Sequence, residues 1–285
     1  MAVELTGRTA ELMLNSALGH PMSTAMYEGL CAGNAQTLIT GIAVCYAPTV
    51  DVLRRAVAEH KNLIISREHP FYLHGGLNYA YTTGGLEAAL KDDPVVHAKR
   101  ELITTNKLMV YRFGAAWDNF RPHAQSAALA AALGLTPHPW KLADRSRGVV
   151  CDVPGTTLAG LAQTAAEKLK AFSSRTVGDP ASTVTRVAVL AGETDPKEAL
   201  AKLLSDPRID GLIAGGGGVV DEVDGAISWF QDLRATGRRI SMLAIGYGAS
   251  QVPGGAEMAK FVQSIFPSLS VEWWQVHDPS WIPRS

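Results

Sequence analysis

The sequence predicts an α/β protein built as two lobes that share a cleft. Three observations lead to this prediction. Short apolar runs alternate with amphipathic segments along both halves of the chain. A proline-containing central stretch interrupts that alternation. The 285 residues, of which 47% are hydrophobic and 19% charged, are enough for two modest lobes with a buried core.

The amino-terminal part begins with an amphipathic segment and continues as alternating strands and helices. The run GIAVCY at 41–46 is apolar throughout, which is typical of a buried strand. The next segment, DVLRRAVAEH at 51–60, places its apolar side chains on one helical face. With the strand at 62–65 these form a βαβ unit, which predicts parallel pairing. Further elements are predicted at 1–19 (helix), 94–105 (helix), 108–113 (strand) and 125–133 (helix).

The central stretch from 136 to 183 is the least regular part of the sequence. It contains Pro137, Pro139, Pro154 and Pro180, and one helix-like piece at 157–172. We therefore predict an amino-terminal lobe at 1–135, an irregular crossover at 136–183 and a carboxyl-terminal lobe at 184–285. The second lobe alternates again, with strands at 186–190, 211–214, 240–245 and 271–276 and helices at 196–204, 220–233 and 255–265.

Composition excludes several classes of protein. The formal net charge is −1 and no Lys/Arg-rich run is present, so nucleic acid is not an expected partner. No apolar run reaches the length of a membrane span. Three scattered cysteines cannot form a disulfide framework. The amino terminus carries charges that are typical of an amphipathic helix rather than a signal peptide, and the expected compartment is the cytoplasm.

The segment that follows the strand at 62–65 is the first candidate site. It contains Glu68, His69 and His74, and carboxylate and imidazole are the usual ligands of a borderline divalent metal. Asp118 follows the strand at 108–113, on an expected loop, and would add a bridging carboxylate. The plain alternatives are a solvated loop for the first group and a turn-forming Asp for the second.

Two glycine-containing strand ends in the second half are weaker candidates. The run AGGGG at 214–218 lacks the Lys-Ser/Thr of a nucleotide-binding loop, so a tightly packed turn is favoured over an anion site. The segment IGYGASQ at 245–251 carries Tyr247 and Gln251, which would face a cleft. Neither is a strong metal ligand, and ordinary loop residues are the alternative.

Motifs spread over most of the chain resemble the Nif-three-like proteins, the Ngg-interacting-factor-three family that is also catalogued as type 2 GTP cyclohydrolase I. YEGLCAGN at 27–34 is similar to the Gly-Leu-x-x-Gly element of that family, and TGIAV at 40–44 to its first βα unit. NLII at 62–65 leads into the loop that carries the paired ligands of the family, and GYGAS at 246–250 resembles one branch near its carboxyl-terminal end.

The resemblance implies mixed sheets flanked by helices, a homo-oligomeric ring (a hexamer, or trimer of dimers) and a dinuclear metal site between the lobes. This chain departs from the family at the ligands. Without a gap, Arg67 stands at the first ligand His, Glu68 at a Glu and His74 at a later His. With a shift of one residue, Glu68 and His69 overlay His-His instead.

Other ligand positions are changed as well. Gly114, Ala115 and Ala116 replace three ligand-type residues, Tyr247 stands at a His and Gln251 at a Glu. A two-metal centre needs enough anionic and imidazole donors to offset two dications. The expected site is therefore incomplete, with at most one Zn, Mn or Fe ion.

Two functional hypotheses follow from the resemblance and its departures. In the first, the chain is a metal-dependent hydrolase of a small anionic substrate. Glu68, a histidine and Asp118 would hold the metal, Asp118 would ligate or act as base, and Arg67 would hold the anion. In the second, it is a ring-forming scaffold or a protein that binds a small molecule or anion, without the dinuclear centre.

Overall fold

The computed structural model describes residues 4–19, 28–72, 90–121, 123–139, 148–170, 175–193, 203, 206–216 and 228–276. These residues form an α/β protein with two mixed sheets and flanking helices, which confirms the predicted fold class. The described part of the chain divides into two compact units. One holds residues 4–120 and 255–276, and the other holds 121–254. The lobe boundaries expected at 135 and 183 stay a prediction.

The helices of the described residues are numbered here in chain order. They are α1 (Gly7–Leu18), α2 (Val50–Ala58), α3 (Pro94–Thr105), α4 (Ala115–Phe120), α5 (Ala124–Ala132), α6 (Leu158–Leu169), α7 (Ser228–Ala235) and α8 (Tyr247–Ile265). A 3₁₀ turn at Leu90–Asp92 precedes α3. Local sequence sets several of the starts, since Thr6, Thr49, Asp93 and Thr157 each accept a hydrogen bond from an amide of the first turn.

The strands are numbered in the same way and form two sheets. They are β1 (Gly29–Ala32), β2 (Ile42–Cys45), β3 (Leu63–Ser66), β4 (Met109–Arg112), β5 (Thr136–Pro139), β6 (Val149–Thr157), β7 (Arg175–Val177), β8 (Thr183–Glu193), β9 (Gly211–Gly216), β10 (Ser241–Ala244) and β11 (Val271–Trp274). Within the described ranges, the sheet orders are β1-β4-β3-β2-β11 and β5-β6-β8-β9-β10-β7.

The sheet of the first unit is parallel except for its edge strand β1. β11, β2, β3 and β4 run in one direction, and every residue of β2, β3 and β4 is buried. Burial on both faces explains why these strands are continuous apolar runs. In the register of β3 with β4, Ser66 lies opposite Arg112, so the chain leaves both strands at the same edge.

The sheet of the second unit combines a parallel centre with antiparallel margins. β8, β9 and β10 are parallel, whereas β5 and β6 pair antiparallel on one side and β7 on the other. Apolar side chains of α5 and α6, among them Leu129 and Leu161, pack with residues of β6 and β8 in one buried cluster. Phe230 of α7 belongs to a second cluster with residues of β8, β9 and β10.

Several elements differ from the sequence-based predictions. The stretch 136–183 contains β5, β6 and β7, which were not predicted because these strands hold Pro, Gly and exposed polar residues. The loop expected around Asp118 is wrong, since Asp118 lies on α4. α8 begins eight residues before the predicted 255 and passes through Pro253. The helix predicted at 196–204 lies almost wholly outside the described residues, as does the first part of 220–233.

No helix within the described ranges combines the length and the apolar character needed to cross a bilayer.

Ile64, at the centre of β3, tests how far the first unit depends on its doubly buried sheet. Its side chain is 0% exposed, so Ile64→Ala is expected to lower the free energy of unfolding by about 2–5 kcal/mol. Leu12→Ala in α1 is the control, because Leu12 is 54% exposed and its truncation should change that free energy by no more than about 0.5 kcal/mol. Urea unfolding followed by tryptophan fluorescence measures both, and equal losses would contradict the burial described here.

Candidate functional site

The candidate site of the first unit lies where β3 and β4 end. β3 leads into Arg67, Glu68 and His69, and β4 leads through Gly114 into α4 with Asp118. Because the two strands are parallel neighbours, their carboxyl ends meet at one edge of the sheet. A Cβ at Gly114 would lie 2.7 Å from the carbonyl oxygen of Arg67. Glycine therefore allows the two chain segments to approach each other at this point.

Arg67 and Asp118 form a two-pronged ion pair. Nη1 of Arg67 donates to Oδ1 of Asp118 over 3.0 Å, and Nη2 donates to Oδ2 over 2.8 Å. The arginine side chain is 4% exposed and the aspartate 16%, so the pair is largely shielded from water. Parallel N–H···O bonds of this kind are strong and specific in geometry. Both oxygens of Asp118 are thus engaged by a permanent cation of the same chain.

Glu28 is a buried carboxylate beneath this arrangement and was not singled out by the sequence. It accepts hydrogen bonds from the amides of Gly114, Ala115 and Ala116, at 3.0–3.3 Å, and lies 3.7 Å from Nε of Arg112. Burial raises the pKa of Glu28, while Arg112 and the three amides act in the opposite direction. An acidic residue directly before a glycine that begins a short strand is common. The position of Glu28 in the sequence therefore does not indicate its role.

The role of Glu28 is to cap the start of α4. The first amides of a helix have no partner within it, and the carboxylate satisfies three that would otherwise be buried without an acceptor. The guanidinium of Arg112 also donates from Nε to the carbonyl of Arg67 over 3.1 Å. Glu28 and Arg112 together fix the backbone on which Arg67 and Asp118 meet.

His69 is 5% exposed, and its ring is turned towards the protein backbone. Nδ1 accepts a hydrogen bond from the amide of Phe71 over 3.1 Å, and the ring contacts Phe71 edge-on. A neutral imidazole that accepts at Nδ1 carries its proton on Nε2. In this hydrogen-bonded form His69 presents no lone pair to a metal ion.

Lys99 of α3 holds the segment that follows His69. Its Nζ donates to the carbonyl oxygen of Pro70 over 2.8 Å and lies 4.4 Å from the ring centre of Tyr72. The side chain is buried, and desolvation lowers the pKa of Lys99 from 10.5 to about 8. A buried amine therefore anchors the chain directly after two of the proposed ligands, Glu68 and His69.

Tyr247 and Gln251 belong to the second unit, on the first turns of α8. Tyr247 is 37% exposed and Gln251 is 3% exposed. The carboxamide nitrogen of Gln251 lies against Gly192, and its Oε1 is buried without a hydrogen-bond partner in the described structure. Ser250, between them, accepts from the amide of Gly192 over 2.9 Å. These contacts pack α8 against the end of β8.

Gly215 accounts for part of the glycine run at 214–218. A Cβ there would collide with the backbone of Gly192 and with Ser250, at 2.4–2.6 Å. For the part of the run up to Gly216, this favours close backbone packing over an anion-binding loop, although these residues belong to strand β9 rather than to the turn that was expected. Gly217 and Gly218 lie outside the described residues.

The residues gathered at this edge do not fit a two-metal centre. Asp118 is paired with Arg67. Nδ1 of His69 accepts a hydrogen bond from a backbone amide, so in this arrangement it neither binds a metal nor donates the hydrogen bond that would fix the tautomer. Within the described ranges, no group of three or more His, Cys, Asp or Glu side chains is placed to hold a metal ion. His74 lies outside those ranges. The ligand role of Glu68, His69, His74 and Asp118 therefore stays a prediction.

The sequence matches a known protein family. A family model described as Duf34/NIF3 (NGG1p interacting factor 3) matches residues 23–219. No curated protein matches the sequence.

Solved structures share the fold at low sequence identity. The Staphylococcus aureus protein SA1388 is 17% identical, with a TM-score of 0.72 and coverage of 98% of this chain and 99% of its own. A Bacillus cereus protein related to NIF3 is 14% identical, with a TM-score of 0.69 and coverage of 99% and 100%. Reduced HcgD from Methanocaldococcus jannaschii is 13% identical, with a TM-score of 0.59 and coverage of 95% and 98%.

The buried amine of Lys99 predicts a pH dependence of stability. With a pKa near 8 in the folded state and 10.5 as its ordinary value, Lys99 binds fewer protons folded than unfolded between these limits. Its contribution to the free energy of unfolding should therefore rise as pH increases from about 8 to 10.5. Lys99→Met should lack this rise.

Urea unfolding of the wild type and Lys99→Met at several pH values measures the difference between their free energies of unfolding. Lys260→Met is the control, because that side chain is 74% exposed. If the wild-type and Lys99→Met curves run parallel from pH 7 to 10.5, then Lys99 is not held in a buried, desolvated position.

Proposed function

We propose a binding role without two-metal chemistry for this chain, which belongs to the Duf34/NIF3 family. Under this proposal it assembles into a homo-oligomeric ring, a hexamer or trimer of dimers, and binds a small molecule or anion. The observation that carries the proposal is the ion pair of Arg67 with Asp118. It occupies the edge of the sheet at which the family resemblance implies metal ligands.

Electrostatics support this proposal. Two unit charges 4 Å apart interact with about 4 kcal/mol at an effective dielectric constant of about 20. A dication has twice the charge, so the neighbouring guanidinium would repel a dication bound by Asp118 with roughly twice this energy. The guanidinium does not lose its proton in proteins. Binding would also require Asp118 to leave Arg67, whose buried charge would then lack its closest counter-ion.

The pair also bears on the anion-binding role that the sequence suggested for Arg67. Its two terminal nitrogens point at Asp118, and the charges of the two side chains cancel. An anion would have to displace Asp118 to reach the guanidinium. The geometry therefore favours a structural role for Arg67, which links the end of β3 to α4, over a role in ligand binding.

Metal content tests the proposal directly. Wild-type protein purified from metal-supplemented medium is expected to hold well below two metal ions per chain, measured by plasma mass spectrometry. Arg67→His should raise the metal content, because it frees both oxygens of Asp118 and adds an imidazole. Arg54→His is the matched control, since Arg54 is an exposed arginine of the same unit.

Two metal ions per wild-type chain would contradict the proposal. One ion per wild-type chain that is lost in Glu68→Ala would instead favour the alternative, a hydrolase with a single metal held by Glu68, a histidine and Asp118.

Assembly is tested separately. Light scattering coupled to size exclusion should give a mass close to six times that of the 30.3 kDa chain. A mass of one chain at micromolar concentration would rule out the ring, whatever the metal content. The measurements of metal content and of mass are independent. A result that contradicts the ring therefore does not contradict the absence of a two-metal centre, and the reverse also holds.

A further inference from the structure

A groove lies in the first unit at the amino ends of β2, β3 and β4, the edge opposite to Arg67 and Asp118. Its volume is about 1060 Å³, which is ample for a small organic molecule. Leu38 and Val57 supply apolar surface along it, whereas Ile103 and Leu108 line it with side chains that are only 2% exposed. The last turns of α2 and α3 form two of its walls.

Both helices end at this groove in the same unusual way. His60 follows α2 with φ of 55°, and Lys107 follows α3 with φ of 53°. Each closes its helix with a backbone hydrogen bond to the last turn, from His60 to Val57 and from Lys107 to Thr104. This left-handed position is usually a glycine, because a Cβ is disfavoured there.

A basic side chain near a helix carboxyl terminus can be explained by the helix dipole alone. Lys170 of the second unit has the same conformation, with φ of 52°. What distinguishes His60 and Lys107 is that both line one groove and precede neighbouring strands, which lie about 4.8 Å apart in a sheet. Backbone strain of this kind tends to persist where a side chain is needed.

The charge of the groove is one-sided. Among the described residues that line it there is no Asp or Glu, and His60 and Lys107 are the titratable ones. Asn62 is committed to structure, since it accepts from the amide of Thr40 and donates to the carbonyl of Leu38. The side chains of Asn34 and Gln36 lie on the rim and are exposed.

We propose that this groove is a binding site for a small organic anion. Lys107 and His60 hold its carboxylate or phosphate group, and the apolar part of the ligand rests on Leu38 and Val57. The site lies apart from Arg67 and Asp118 and does not depend on whether a metal binds there. It adds a definite ligand class and location to the protein.

The test uses the full chain with phenyl phosphate, benzoate and uncharged phenol as probes, each titrated by calorimetry. Wild-type protein should bind at least one of the two anions in preference to phenol. The tighter of phenyl phosphate and benzoate then identifies which anionic group the site takes. The double variant His60→Gly/Lys107→Gly should bind that anion about tenfold more weakly, since it loses the lysine charge and both side-chain hydrogen-bond donors.

The double variant is chosen because glycine suits both left-handed positions, so its melting temperature should not fall. Lys170→Gly makes the same change at the same backbone conformation in the second unit and should leave anion binding unaltered. The proposal is overturned if neither anion shows saturable binding to the wild type. It is equally overturned if the double variant binds as tightly as the wild type, or if Lys170→Gly weakens binding to the same extent.

Discussion

The in-register parallel pairing of β3 with β4 is the constraint on which the first unit depends. It brings the chain after Ser66 beside the chain after Arg112, with the Arg67 carbonyl so near Gly114 that a Cβ would intrude. Such an approach leaves backbone amides in a buried place, and the carboxylate of Glu28 accepts from three of them. The ion pair of Arg67 with Asp118 then follows from the geometry of the two strand ends. The pair is thus a consequence of how the sheet is built rather than an addition to it.

The sequence predicted the parallel core of both units because burial on two faces leaves a clear signal. Runs such as IAVC in β2 and LIIS in β3 are apolar at nearly every position, and the helices between them carry one apolar face. The antiparallel margins left no such signal. β5 reads TPHP and β6 contains Pro154 and Gly155, so local propensity argues against strands that tertiary pairing nevertheless forms. α8 was shortened in prediction for the same reason, since Pro253 and three glycines lie inside it.

The sequence could propose a candidate site, but it could not show the hydrogen bonds that govern the chemistry of these residues. Strand ends and residue types pointed to Glu68, His69 and Asp118, and the structure brings Arg67 and Asp118 together. What decides whether these groups can bind metal is their hydrogen bonding. The pairing of residues 51 positions apart, and the nitrogen of His69 that accepts an amide, are three-dimensional facts without a local pattern. Glu28 was missed for a related reason, because a capping carboxylate contributed from 86 residues away resembles any other acid in the sequence.

The two edges of the first sheet now contrast in physical character. At the carboxyl edge, where α/β proteins usually bind their ligands, opposite charges of the same chain neutralise each other and backbone amides are satisfied internally. At the amino edge, two side chains that cannot neutralise each other occupy backbone conformations that favour glycine. Neutralised, hydrogen-bonded groups stabilise a fold, whereas a strained lysine and histidine beside a groove with no acidic residue among its described lining are what an anion can exploit. The proposed anion site therefore lies where basic side chains and backbone strain have no acidic partner among the described lining residues, at the edge opposite to the one where α/β folds usually bind ligands.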